Sequence, residues 1–121
     1  MFLLDLGVPI RINILGTEYK LKTLSEEEYP KLKVISAYGC CEQYSKELII
    51  NSRLDIKEDK DVELIHKAKE KVIRHEIVHA FIHESGLSEY FHDETIIEWM
   101  AIQIPKMVKV MKEVGVLDID T

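Results

Sequence analysis

KDVELIHKAKEKVIRHEIVHAFIHESG, residues 60–86, is the stretch that decides the fold. Val62, Ile65, Ala68, Lys69, Val72, Ile73, Glu76, Val78 and Ala80 recur at helical spacing. No glycine or proline interrupts the run before Gly86, which suits the residue just past a helix end. A long helix over about 60–85 is therefore expected, entered by the solvated charged run Lys57-Glu58-Asp59-Lys60-Asp61. Working outward, residues 87–92 read as a short loop. Asp93 reads as the N-cap of a second helix, about 93–114, carrying Ile96, Ile97, Met100, Ala101, Ile104, Met107, Val108 and Met111. Pro105 predicts a kink or break near Ile104. Trp99, Met100 and Ile104 are expected in the core of that helix, and Gly115 near its end.

Upstream the period changes to two. Residues 9–15 and 18–24 alternate apolar and polar side chains around Gly16-Thr17 and predict a hairpin. Ser25 before Glu26-Glu27-Glu28 resembles a helix N-cap, and Pro30 allows at most a short helix or turn there. Residues 34–43 predict a third strand with Gly39 as a bulge, and 48–51 a fourth after a polar turn. The expected fold class is α+β. A small antiparallel sheet, from a strand-rich segment 8–52, packs on two helices from the second half, in one domain over 1–121.

The chain has 121 residues, 46% hydrophobic and 31% charged, which suits one core with ample polar surface. Twenty-two acidic against 16 basic residues give a net charge of −6. That balance argues against direct nucleic-acid binding. No segment approaches the roughly 20 apolar residues of a membrane span. The apolar start Met1-Phe2-Leu3-Leu4 lacks a basic n-region and meets Asp5 early, so no signal peptide and a cytoplasmic location are expected. Cys40 and Cys41 are adjacent and cannot staple distant segments. They read as two small strand residues, with a vicinal disulfide or soft-metal site as the alternative.

The chemistry lies in His75-Glu76-Ile77-Val78-His79. Residues four apart on a helix project about 40° apart and about 6 Å along the axis, so both imidazoles can reach one ion. Glu76 would stand beside that ion, able to take a proton from an attacking water and pass it to a leaving amine. A third protein ligand is needed, with one position left for water. His83, His92, Glu94 and Glu98 are the near candidates. A metzincin would carry histidine where Ser85 stands, so that pattern fails. His83 lies another turn along, about 12 Å from His75, and reads as a packing residue. Tyr38, Tyr44, Tyr90 and His92 are candidate oxyanion donors, each with a plainer packing role.

Asp93-Glu94-Thr95-Ile96-Ile97-Glu98 resembles the N-E-x-x-x-D segment of gluzincin peptidases. That resemblance implies Glu94 as the third ligand and Glu98 as the acceptor of a zinc-histidine N–H, although Glu98, longer than the usual aspartate, is an alternative ligand. Together with His75 to Phe81, Glu84 to Leu87 and Glu98 to Ala101, the segment resembles small zincin-like proteins of temperate phages and mobile elements, related to the ImmA/IrrE-type metallopeptidases. The resemblance spans roughly residues 70–106. It implies a minimal zincin-like fold, one Zn2+ and cleavage of a protein substrate such as a phage or mobile-element regulator. An extended substrate would lie antiparallel to an edge strand of the 34–50 hairpin. The competing readings are a zinc-stabilised protein-interaction module without peptidase activity, closed by a fourth ligand such as His92 or Glu98, and a metal-free helical partner protein. Substrate identity and oligomeric state are not written in the sequence.

Overall fold

The computed structural model describes residues 8–56, 62–91 and 93–118. The apolar start, the charged run 57–61 and His92 lie outside them. Strand β1 (Ile10–Ile14) and strand β2 (Thr17–Leu24) pair antiparallel, with Ile12 opposite Tyr19. Leu15 and Gly16 make the turn with φ of 50° and 92°, the primed geometry that matches strand twist. Asn13 Oδ1 accepts the Gly16 N–H at 2.7 Å.

After β2 the Ser25 hydroxyl accepts the Glu28 N–H, and the Glu28 carboxylate accepts the Ser25 N–H, both at 3.0 Å. This is the reciprocal capping pattern, and Pro30 then leads into the single turn of helix α1 (Lys31–Val34). Ser36 takes φ 51°, and the Ala37 N–H reaches back to the Leu32 carbonyl at 2.9 Å. That closure ends the helix and delays strand β3 to Gly39–Glu42, so the strand expected from residue 34 begins five residues later. Strand β4 (Glu47–Asn51) returns antiparallel to β3.

The class is α+β, but the sheet is mixed and not antiparallel throughout. Its order is β1-β2-β4-β3, with β2 and β4 parallel and Leu21 beside Leu48. The crossover containing α1 and β3 carries the chain past the β2 edge, and β4, the more apolar strand of the second hairpin, takes the inner place. Leu48, Ile49 and Ile50 are 0–1% exposed there. Among the described residues this leaves β1 and β3 as edges.

A 3-10 turn (Ser52–Ile56) leads to helix α2 (Val62–Glu84). Val72, Ile73, Ile77 and Ala80 of α2 pack on Ile14, Tyr19, Leu21, Leu48 and Ile50 of the sheet. Leu32 of α1 covers the opposite sheet face, against Cys40 and Ile49. Each aliphatic side chain so buried contributes about 1.5–3 kcal/mol. Gly86, at φ 77°, ends α2 as expected, with the Leu87 N–H returning to the Ile82 carbonyl at 3.1 Å.

Helix α3 (Glu94–Glu113) starts at Asp93, whose side chain accepts the Thr95 N–H at 2.9 Å. Ile97 and Met100 pack on Val78 and Ile82, placing α2 between the sheet and α3. Trp99 and Ile104, expected in the core, are 54% and 38% exposed; of that trio only Met100 packs inward. The helix also runs unbroken through Pro105. Proline cannot donate to the carbonyl four residues back, Ala101. Arg74 Nε of α2 donates to that carbonyl instead, at 2.7 Å. A neighbouring helix thus supplies the hydrogen bond the proline lacks, and no break is required.

No helix among the described residues is long and apolar enough to cross a membrane.

Candidate metal centre

The helical period of α2 brings His75 and His79 to one face, ring centroids 5.0 Å apart and side chains 18% and 19% exposed. The first turn of α3 lies across them. Glu94 reaches in from the solvent side, with Oε2 2.9 Å from His75 Nε2 and Oε1 3.0 Å from His79 Nε2. The ligand atoms of His75, His79 and Glu94 all lie within 4.8 Å of one another. A tetrahedral ion with bonds near 2.0–2.1 Å sets its ligand atoms about 3.3 Å apart, so the 2.9 and 3.0 Å separations of Glu94 from the two imidazoles need open only by a few tenths of an ångström to admit one.

Glu98, one turn along α3, meets the other nitrogen of the same ring. Its Oε1 lies 3.2 Å from His75 Nδ1, and its Oε2 lies 3.4 Å from Lys71 Nζ. Of the two carboxylates only Glu94 faces both Nε2 atoms, and Glu98 stands behind His75. A hydrogen bond from Nδ1–H to Glu98 turns the Nε2 lone pair toward the centre. Burial opposes ionisation of Glu98, but the His75 hydrogen bond and the Lys71 charge outweigh it and hold its carboxyl below the usual range.

Glu76 lies beneath the histidines, 6% exposed. Burial drives its carboxyl up to about 7, against the pull of His75 and with help from Glu94 and Glu98. Space for it comes from β3. A Cβ on Gly39 would sit 2.9 Å from Glu76 Oε2 and 2.9 Å from Val72 Cγ1. Gly39 is therefore the point of close strand–helix approach rather than the expected bulge.

Burial holds His79 below the ordinary histidine value, and His83 likewise. A neutral imidazole is the ligating form. His83 Nδ1 instead pairs with Ser88 Oγ at 2.8 Å, outside the group of three. His92 lies outside the described residues. Of the candidate oxyanion donors, Tyr38 lines the cleft over the centre and Tyr44 and Tyr90 do not.

That cleft, about 740 Å3, lies between the β3 edge and the α2–α3 pair. Both cysteines are free. Cys40 joins Leu32 and Ile49 on one sheet face, while Cys41 packs toward α2 on the other. Burial pushes each thiol up to about 12.

Sequence reasoning missed Lys71, the space-making role of Gly39 and the Glu84 anchor. The Glu84 carboxylate, at the end of α2, accepts from Thr17 Oγ1 at 2.7 Å, Tyr19 OH at 2.6 Å and Lys46 Nζ at 2.8 Å. These bonds tie the ligand-bearing helix to both hairpins. Comparison with protein-family models, curated proteins and solved structures finds no match for this chain.

Proposed function

We propose that this protein is a zinc-dependent metallopeptidase acting on a protein substrate. The observation that carries the reading is the convergence of His75, His79 and Glu94 at the floor of a cleft, with Glu76 buried beside them. A zinc ion held there would polarise a substrate carbonyl and acidify water. His75, His79 and Glu94 would hold it. Glu98 fixes the His75 ring through Nδ1. Glu76, buried beside the ligands, would accept a proton at its carboxylate from the attacking water and deliver it to the leaving amine. Strand β3, at the edge of the sheet among the described residues, offers a side along which an extended segment can add as a further strand. The sequence resemblance points to a phage or mobile-element regulator as the substrate.

The second reading is a zinc-stabilised interaction module. Such a site needs a fourth protein ligand, and among the described residues Glu98 and His83 face other partners. Three ligands and no fourth among the described residues favour catalysis. The test is Glu76→Gln, assayed for zinc content and for cleavage of an unfolded protein such as casein. The expected result is about one zinc per chain in both proteins, with cleavage only by the wild type. Equal cleavage by the variant would remove Glu76 from the mechanism, and absence of bound zinc from both would end the reading.

A further inference from the structure

The cleft is lopsided in its basic charge, although Glu76, Glu94 and Glu98 also line it and Ile35, Ala37 and Val72 add apolar surface toward the start of β3. Lys71 is its one lysine or arginine among the described lining residues, and it stands one helical turn before His75. At the other end Ile82 and Phe91 line the wall, with His83 hydrogen-bonded to Ser88. Lys71 is 41% exposed and bonded to Glu98 only at 3.4 Å, a half-solvated pair of the kind that holds weakly. Its ammonium can therefore take a second carboxylate without abandoning Glu98.

Chain direction decides where that carboxylate lies. Gly39, at the start of β3, meets Val72 and Glu76, whereas Lys46, beyond its end, bonds Glu84 at the end of α2. Strand β3 thus runs the same way as α2. A segment pairing antiparallel with β3 enters at the Phe91 end and leaves at the Lys71 end. Four residues of helix rise about 6 Å, and a strand advances about 3.3 Å per residue, so Lys71 lies about two residues beyond the reacting bond.

We infer that the cleft selects segments with a carboxylate about two residues on the C-terminal side of the reacting peptide bond, recognised by Lys71, and an apolar side chain on the N-terminal side, against Ile82 and Phe91. This rests on the peptidase reading for the position of the bond. The carboxylate can be an aspartate or glutamate side chain or the substrate's own C-terminus.

The test is affinity selection from a randomised octapeptide library on zinc-loaded Glu76→Gln protein, with the selected peptides sequenced. One library has free C-termini and one has amidated C-termini. The expected result is enrichment of acidic residues by about fivefold, the size of a half-exposed ion pair. That enrichment disappears in the Lys71→Gln derivative and turns to lysine and arginine in Lys71→Glu. Enrichment in the amidated library identifies a side chain; selection only from the free library identifies the terminus. An unbiased pool, an empty pool or a bias unchanged by Lys71→Gln overturns the inference. Cleavage by protein with Glu76 intact is scored separately. A protein that selects acidic peptides and cuts none keeps the Lys71 specificity and loses the peptidase reading.

Discussion

Replacing Arg74 by methionine removes the donor that serves the Ala101 carbonyl while keeping most of the apolar stem. A hydrogen bond from a charged donor is worth about 1.5–3 kcal/mol. The Arg74 side chain is 34% exposed, so water can replace part of that bond, and a loss of about 1–2 kcal/mol is expected. The ion pair with Glu70, at 3.9 Å and half-exposed, adds little. Pro105→Ala restores a backbone N–H four residues after Ala101, so in that background the carbonyl keeps a partner when Arg74 is changed. Arg74→Met should then cost only about 0.5 kcal/mol, a coupling of about 1 kcal/mol between residues on different helices. Urea unfolding of the four proteins in the presence of a chelator measures it without interference from metal binding. The single Arg74→Met variant should also melt about 4 °C lower. An equal cost of Arg74→Met with and without Pro105 would refute the argument that arginine replaces the bond proline cannot make.

Other parts of the molecule carry their own expected outcomes. Glu94→Ala should lose stoichiometric zinc by elemental analysis, whereas Glu98→Ala should keep the site with affinity about 10–100-fold lower; the reverse order would exchange their roles. Gly39→Ala should destabilise by about 1–3 kcal/mol, because its Cβ meets Val72 and Glu76; an unchanged melting temperature would show that β3 moves away freely. The three donors to Glu84 hold its carboxyl down to about 2, so their stabilisation is complete above the ordinary value of 4.5 and is lost as pH falls toward 2. Glu84→Gln should therefore flatten the acid limb of urea midpoint against pH, and an unaltered limb would remove Glu84 as its source. Both thiols should react slowly with a disulfide reagent at neutral pH and fully on unfolding; rapid native reaction would contradict the upward shift of both thiols.

The long helix is legible because its apolar residues keep one period over six turns and a glycine marks its end. The pairing of His75 with His79 comes from the same period. Glu94 and Glu98 cannot be separated by spacing alone, because both occupy the face of α3 that meets α2. Only the approach of the two helices sets one carboxylate before the Nε2 atoms and the other behind Nδ1. The parallel contact of β2 with β4 is illegible for a similar reason. Alternation shows that a strand has a buried face, but not which strand lies beside it. Pro105 reads as a break because the compensating arginine sits on another helix and acts on a backbone oxygen. Lys71 is silent because a lone lysine on a charged helix has no local signature.

The parallel contact also bears on how the chain reaches its fold. Each hairpin closes over a turn of two or four residues and can form in about 1–10 μs. The pairing of Lys20 with Glu47 must instead close the whole crossover. Bringing the two preformed hairpins together is then the slow search. Inserting about twenty Gly/Ser residues after Ala37, which leaves the α1 closure intact, would more than double the link 25–38 between the hairpins, raising the closure barrier by about 0.8 kcal/mol and slowing refolding about fourfold. Unfolding should keep its rate, because an inserted flexible loop is not ordered in either the native or the transition state. Stopped-flow rates showing the slowing shared by both limbs would mean that the sheet assembles by another route.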